Sequence, residues 1–302
     1  RLWAEGDWVE GLNPFAGGGG DSDQLRAFED DMLHWTLHRG QDGRRAFAMP
    51  LAYSTADADV RELDGLTMAE YATRQGWSSP HLCWMIDQAC KDTCAKNGLT
   101  DAYVRPIAWR GSEMIGVSAQ QTKIHVAIAV WEWPSYFSPE EKAKGIRMCW
   151  AKYKRPSPET EPVHAKATGL YMICTISKHA AEKDGFTDAM MLDYRGYVAE
   201  STGSNVFFVK DGVLHTPTPD CFLNGLTRQS VIALAKTKGF EVVERHIKPE
   251  ELAGFTECFV VGTAAEVTPV SQIGEYSFTP GNISLSLMDD YAKMVRRQLQ
   301  PA

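Results

Sequence analysis

The sequence predicts a mixed α/β fold of the α+β type, with one large domain or two moderate ones. Predicted strands and helices follow one another without a strict βαβ rhythm, and several neighbouring strands are separated only by short turns. One of these turns, Asp211-Gly212, lies between two apolar segments and is typical of a β-hairpin. A chain of 302 residues is long enough to bury a substantial hydrophobic core.

The composition argues against several classes of protein. Hydrophobic residues make up 44% of the chain and charged residues 23%, as in ordinary soluble globular proteins. No apolar run approaches the roughly 20 residues that span a bilayer, and the first residues lack the basic and apolar regions of a secretory signal. We therefore expect no membrane partner. The net charge of −8 argues against nucleic-acid binding, which depends on clustered Lys and Arg.

The cysteines and histidines indicate neither a disulfide framework nor a metal centre. The seven cysteines are scattered and include no paired CxxC motifs, so a reducing, cytoplasmic setting is the simplest interpretation. His34 and His38 are four residues apart on a predicted helix. However, Trp35 stands where a zinc protease has the Glu that follows its first His. We therefore predict no metal site.

The first hundred residues show an uneven pattern. The glycine run at 17–20 is interpreted as a linker, because no Lys-Ser/Thr pair follows it and GxGxxG spacing is absent. Helices are predicted from Ser22 onward, over 67–73 and over 79–96, where Gly98 provides a stop.

Two strands are predicted between residues 100 and 135. The segment 102–109 alternates, which places Tyr103 and Arg105 on one face. The segment 124–131 is a nearly continuous apolar run, which predicts a buried strand. Trp133-Pro134 then opens a loop, where we expect a domain boundary.

The second half of the chain alternates closely between strands and helices. The proline-rich segment 155–158 is predicted to be a surface loop. Strands are predicted at 188–193, 197–200, 206–210, 213–216, 241–246, 257–262 and 267–273, and helices at 170–182, 226–238 and 283–299.

Four positions could carry chemistry. Lys166 lies among small residues between an extended and a helical segment, and Glu200 ends a short strand. The segment 224–227 opens a helix, whose free amides and positive dipole end can hold an anion. The segment 262–264 offers a further hydroxyl and close backbone approach. Taken singly, each position also has a plainer interpretation as a surface lysine, a solvated acid, a helix cap or a turn.

Taken together, four ordered segments resemble the successive motifs of the class IV aminotransferases, the fold-type IV pyridoxal-phosphate enzymes. The branched-chain amino acid aminotransferases are the most similar branch, and the resemblance covers about residues 86–302. The segments are HAKATGLY at 164–171, GYVAESTGSNVF at 196–207, LNGLTR at 223–228 and GTAAEVTPV at 262–270.

This resemblance implies a role for each matched position. Lys166 would be the catalytic lysine, which forms the Schiff base with pyridoxal 5′-phosphate and moves the substrate proton. Tyr171 would bind the phenolic oxygen of the cofactor, and Glu200 its pyridine nitrogen. The resemblance assigns the cofactor phosphate to Leu226, Thr227 and Thr263.

The resemblance also implies a substrate site, a domain arrangement and partners. The substrate residues would be Tyr103, Arg105, Trp133, Tyr136, Thr263 and Ala264. Residues 86–135 would be part of a small α+β domain, and 136–302 the large cofactor-binding domain. The implied reaction is transamination of branched-chain L-amino acids with 2-oxoglutarate as acceptor, in a homodimer or larger homo-oligomer.

Residues 1–85 form an atypical segment, because they lack the family's Gly-Val-Phe-Glu-Gly motif and its phosphate-binding arginine. The stretch 63–87, which begins in this segment, weakly resembles flavin-linked NAD(P)-binding oxidoreductases, although no dinucleotide motif is present. Either a join between two sequences near 84–88 or a divergent N-terminal replacement would explain this.

Three other functions stay open on the sequence. Within the same fold the chain could be a D-amino acid aminotransferase or an aminodeoxychorismate lyase. An incomplete small domain is also compatible with a catalytically impaired cofactor-binding or scaffold protein. A flavin oxidoreductase is the most distant alternative.

Overall fold

The chain divides into two compact units, Arg1–Pro134 and Ser135–Ala302. The computed structural model describes residues 2–4, 7–9, 27, 30–31, 34, 38–42, 57, 74–75, 89–114, 122–133 and 139–296. The predicted glycine linker, the predicted helix at 67–73 and the 63–87 segment lie wholly or largely outside these residues. The predicted assignment of 1–85, 86–135 and 136–302 to separate parts remains a prediction.

The described part of the first unit includes two antiparallel strand pairs and a helix whose bounds are resolved, besides single helical residues at 27, 30–31, 34 and 74. Its elements are β1 (Leu2–Ala4), β2 (Asp7–Val9), α1 (Ala89–Lys96), β3 (Tyr103–Arg110) and β4 (Ile124–Trp131). β1 pairs with β2, and β3 with β4, both antiparallel. Gly98 ends α1 with a φ of +69°, a conformation that glycine adopts without steric cost.

The prediction that 124–131 is a buried strand is half right. The segment is a strand, but its described side chains are exposed or only half-buried, and Ala127 is exposed. The reason is that the described partners of this strand are β3 and the short helix α1, which together cover little of its surface.

The second unit contains a nine-stranded mixed sheet with helices packed against it. The turn Asp211-Gly212 joins β8 (Asn205–Lys210) to β9 (Val213–Pro217), and both of its residues have positive φ, as the hairpin prediction requires. The strands are β5 (Ile146–Trp150), β6 (Asp188–Leu192), β7 (Val198–Ser201), β8 (Asn205–Lys210), β9 (Val213–Pro217), β10 (Val242–Arg245), β11 (Glu257–Gly262), β12 (Glu266–Ile273) and β13 (Tyr276–Ser277). The helices are α2 (Pro139–Lys144), α3 (Met172–Lys183), α4 (Leu226–Thr237) and α5 (Asn282–Val295), with 3₁₀ turns at Thr168–Tyr171 and Pro249–Gly254.

The strand order closes part of this sheet on itself. The order is β10-β9-β8-β11-β12-β5-β6-β7, with β13 beside β12, and β7 pairs a second time with β8. The strands β8, β11, β12, β5, β6 and β7 therefore form a ring, which the single pair Glu200–Asn205 closes. Parallel pairs occur where a helix or a long connection intervenes, as between β5 and β6.

Alternating side chains of the central strands fill two cores. On β8, Val206 and Phe208 join one hydrophobic cluster, whereas Phe207 and Val209 join a second one. The second cluster also contains residues of α4 and α5, including Val231. β8 is thus buried on both faces, which explains its continuous apolar run, because a strand that is buried on one face only would alternate.

Candidate active site

Lys166 lies just before a tight turn that brings a tyrosine back toward it. The 3₁₀ turn Thr168–Tyr171 leads directly into α3. Lys166 is exposed, and its Nζ donates a hydrogen bond to Tyr171 Oη at 3.3 Å. The ammonium group lies 5.6 Å from the centroid of the tyrosine ring. An accessible amine with a phenol beside it can bind a carbonyl compound and pass protons.

Glu200 is a buried acid near the end of β7. It is 9% exposed, and its Oε2 accepts a hydrogen bond from Asn205 Nδ2 at 3.2 Å. Its Oε1 lies 3.4 Å from Arg155 Nε. Burial raises the pKa of Glu200 to about 7, although the positive charges of Arg155 and Lys166 act to lower it. The carboxyl group can therefore exchange a proton near neutral pH.

Arg155 is buried, so the prediction of a surface loop at 155–158 is wrong at this position. The side chain is 4% exposed, and its Nη1 donates to Leu170 O and contacts Cys174 Sγ, both at 3.3 Å. Its backbone also bridges to Asp193 at the end of β6. This pairing with the sheet draws the residue inward, which the neighbouring prolines do not reveal.

The N-terminus of α4 presents free backbone amides. Gly225 is in an extended conformation before the helix, and no side chain among the described residues caps the first turn. Leu226 is 81% exposed, while Thr227 is buried and its Oγ1 lies 3.5 Å from Tyr291 Oη. An uncapped N-terminus with a positive dipole end is suited to binding an anion such as a phosphate.

Thr263 and Ala264 lie in the three-residue loop between β11 and β12. Gly262 pairs with Glu266 across this hairpin, and Glu266 has a φ of +52°. Thr263 is exposed and Ala264 is half-buried. A Cβ atom on Gly262 would lie 3.1 Å from Ser204 Oγ, so this hairpin lies directly beside the turn between β7 and β8.

The strand register brings these groups to one end of the ring of strands. Glu200 pairs with Asn205, and Asn205 pairs with Val261 at the end of β11. Asn205 also contacts Gly225 at the start of α4. Lys166 is close enough for its charge to act on Glu200. Of the predicted cofactor residues, Glu200, Thr227 and Thr263 thus lie on three adjoining segments.

The predicted substrate residues of the first unit form an aromatic cluster with one cation. Arg105 Nη2 donates to Tyr103 Oη at 3.3 Å, and its guanidinium lies 5.5 Å from the Trp131 ring centroid. The Tyr103 ring also lies 5.1 Å from that of Trp133. The prediction that Tyr103 and Arg105 share a face agrees with their contact, whereas Tyr136 lies outside the described residues.

Sequence reasoning missed three buried polar residues around this site. Asn205 stands inside the second motif, and a lone amide at the start of an apolar strand could have drawn attention to it. Arg228 is 1% exposed and hydrogen-bonds Asn224, Pro217 and Glu244. Arg155 has no local pattern that could have revealed it.

A separate polar cluster at Asp193, Arg195 and Asp220 is already neutralised. Asp193, Asp220 and Cys221 lie close enough together to be considered as metal ligands. However, Arg195 Nη2 lies 2.7 Å from Asp193 Oδ2 and 2.8 Å from Asp220 Oδ2, and His246 also contacts Asp220. The guanidinium takes the place that a cation would occupy.

The amine, the phenol, the buried acid and the start of α4 form an arrangement that can bind a small anionic carbonyl compound. The chain belongs to the amino-transferase class IV family, since the model of that family matches residues 68–273. The resemblance was predicted to begin near Ile86, but the family match begins earlier, at residue 68.

Two curated relatives extend the comparison. The probable branched-chain-amino-acid aminotransferase of Rickettsia conorii is 39% identical over 73% of this chain and 76% of its own length. The branched-chain-amino-acid aminotransferase of Pseudomonas aeruginosa is 35% identical over 84% of this chain and 83% of its own. With 84% of the chain aligned, the likeness must reach into the first 85 residues.

Solved structures give the same family. A branched-chain amino acid aminotransferase of Escherichia coli superposes with a TM-score of 0.69 and 32% identity, over 77% of this chain and 78% of that one. The enzyme of Thermobaculum terrenum, in its pyridoxal-phosphate form, has a TM-score of 0.65 and 28% identity over 76% of each chain. The fold is thus that of the fold-type IV aminotransferases, as predicted.

No helix among the residues that the structure describes combines the length and apolar character needed to cross a bilayer.

Proposed function

We propose that this protein is a pyridoxal-phosphate-dependent aminotransferase that acts on branched-chain L-amino acids, with 2-oxoglutarate as amino acceptor. The observation that carries the proposal is the contact of Lys166 with Tyr171 at 3.3 Å, in a unit where buried Glu200 and the open end of α4 adjoin each other. The curated relatives and solved structures named above bear the name of this activity.

The residues fit the cofactor. The amine of Lys166 could condense with the aldehyde of the cofactor. Tyr171 Oη could hydrogen-bond its phenolic oxygen, and the carboxyl group of Glu200 could bind its pyridine nitrogen. The amides of the first turn of α4, which no side chain caps, and the hydroxyl groups of Thr227 and Thr263 suit its phosphate. When bound, pyridoxal phosphate supplies a ring that accepts the electron pair released at the substrate Cα.

The side chains divide the remaining work. The amine of Lys166 takes the proton from the Cα of the amino acid, and Tyr171 Oη orients that amine through their hydrogen bond. Glu200, whose pKa burial raises to about 7, would hold the pyridine nitrogen of the cofactor and could exchange a proton with it near neutral pH. Asn205 donates a hydrogen bond to one carboxylate oxygen of Glu200, and the guanidinium of Arg155 lies 3.4 Å from the other.

We propose two separate sets of substrate residues, the aromatic cluster of the first unit and the β11–β12 loop of the second. Tyr103 and Trp133 offer apolar surface for an aliphatic side chain. Arg105, Thr263 and Ala264 offer donors for a carboxylate. We further propose Tyr136 as a substrate contact, 86–135 as part of the small domain and 136–302 as the large domain. We also propose a homodimer or larger homo-oligomer and a cytoplasmic location.

Absorbance and activity test this proposal. Protein incubated with pyridoxal phosphate is expected to show a near-visible band and to convert L-valine and 2-oxoglutarate to 3-methyl-2-oxobutanoate and L-glutamate. The Lys166→Ala variant should lose the band and at least about a hundredfold in rate. Lys152→Ala changes another exposed lysine of the same unit and should retain both.

Two outcomes would contradict the proposal. A wild-type protein without the band would exclude the cofactor. A band together with a preference for D-alanine over L-valine and L-leucine would assign the protein to the D-amino acid branch instead.

A further inference from the structure

Asn205 makes three hydrogen bonds that join separate segments. The residue is 5% exposed and opens β8. Its Nδ2 donates to Glu200 Oε2 at 3.2 Å and to Leu223 O at 3.0 Å. Its Oδ1 accepts a hydrogen bond from Gly225 N at 3.2 Å. One side chain therefore connects the buried acid of β7 with the chain just before α4.

Gly225 is shaped for this contact. A Cβ atom on Gly225 would lie 2.6 Å from Asn205 Oδ1, closer than a carbon and an oxygen can approach. The backbone of Gly225 has a φ of −63°, which any residue adopts, so backbone strain does not require glycine here. The need for a glycine therefore arises from the approach of Asn205.

We infer that Asn205 is a positioning residue that sets the distance between Glu200 and the N-terminus of α4. The inference rests on the proposed function, in which Glu200 binds the pyridine nitrogen of the cofactor and the N-terminus of α4 binds its phosphate. Both groups belong to one rigid ring system. A rigid ligand binds strongly only if both partners keep the matching separation without further ordering. Asn205 provides this by bonding to both partners at once.

The amide group explains why an asparagine is needed. An amide has a donor and an acceptor, and Glu200 requires the donor while Gly225 N requires the acceptor. An aspartate at this position would keep the acceptor but place a second negative charge beside Glu200, which raises the pKa of a carboxyl group.

A double-mutant cycle in cofactor-free protein tests the inference. Asn205→Ala should weaken binding of inorganic phosphate about fivefold to tenfold and speed amide exchange in the 223–228 segment. Gly225→Ala alone should have a similar effect because its methyl group collides with Asn205. In the Asn205→Ala background Gly225→Ala should add little, because the oxygen that it would hit is gone.

The Asn205→Asp variant separates positioning from simple packing. Asn205→Asp has nearly the same shape and keeps the acceptor for Gly225 N, but it loses the donor to Glu200 Oε2 and Leu223 O. Amide exchange at 223–228 should therefore fall between the wild-type and the Asn205→Ala rates, while the titration of Glu200 moves to higher pH. Infrared difference spectra against Glu200→Gln would follow this titration. Ser271→Ala serves as a control, because it removes a hydroxyl that bonds Gly145 O at the other end of β12. If Asn205→Ala does not fold, Asn205→Ser replaces it.

Additive effects of the two alanine substitutions, or unchanged amide exchange in Asn205→Ala, would overturn the inference. Failure of the proposed function looks different, since it appears as absence of the near-visible band in the wild-type protein. The exchange and infrared measurements need no cofactor, and they decide the role of Asn205 in either case.

Discussion

Arg155 and Glu200 form a buried ion pair without an aligned hydrogen bond. Arg155 Nε lies 3.4 Å from Glu200 Oε1, but this nitrogen has no hydrogen-bond acceptor among the described residues. The pair is therefore weaker than a bidentate ion pair. Burial has a larger effect on the pKa of Glu200 than the nearby positive charges, so this pKa rises to about 7. This balance makes the acid responsive to a ligand or to a change of charge nearby.

Glu200 should make the stability of the cofactor-free protein depend on pH. The folded protein keeps a proton up to about pH 7 that the unfolded chain releases near 4.5. The free energy of unfolding should thus fall as the pH rises between these values, by about 1 kcal/mol for each pH unit. Urea unfolding of wild type and Glu200→Gln measures this contribution as a difference. Parallel curves for the two proteins would contradict the raised pKa.

Arg155→Met should move the titration of Glu200 upward. The guanidinium of Arg155 lowers the pKa of Glu200. With a neutral side chain of similar length, burial still raises this pKa, and of the two positive charges only Lys166 still lowers it. The infrared titration described for Asn205→Asp would report the shift. Arg147→Met is the matched control, because Arg147 is exposed and bonds Gln272. A downward shift in Arg155→Met would rule out the proposed electrostatic effect.

Tyr171→Phe should lower kcat about tenfold, which corresponds to one lost hydrogen bond to the catalytic amine. The near-visible band should remain but shift, because Lys166 is retained while its 3.3 Å contact is lost. Tyr194→Phe, at a 50% exposed tyrosine of the same unit, should change neither property. A fully active Tyr171→Phe enzyme would remove Tyr171 from the proposed mechanism.

Arg228→Met should destabilise the protein by about 3 kcal/mol. The guanidinium is almost wholly buried and bonds Pro217 O, Asn224 Oδ1 and Glu244 Oε2, at 3.0, 3.0 and 2.7 Å. Its loss leaves those acceptors without this donor. The measurement is the denaturant midpoint of unfolding of each variant. Lys293→Gln is the control, because it breaks an exposed ion pair with Asp289 and should leave the midpoint unchanged. Equal midpoints for the two variants would contradict this account.

The elements of the second unit were predictable because their patterns are local. The apolar strand at 257–262 has the predicted bounds, and the helix predicted at 226–238 ends one residue earlier. Turn residues such as Asp211-Gly212 also act locally, since positive φ is a property of the residues themselves. The burial of 124–131 was not predictable, because it depends on what covers the strand.

The candidate site divides in the same way. The sequence by itself determined the chemical groups: the amine of Lys166, the phenol of Tyr171, the acid of Glu200 and the helix start at Leu226. Only the tertiary structure decided that Arg155 is buried beside Glu200 and that Asn205 bonds both Glu200 and Gly225. The physical reason is that strand register and the packing of α4 bring together residues far apart in the chain, and the pKa of Glu200 depends on that environment rather than on its neighbours in sequence.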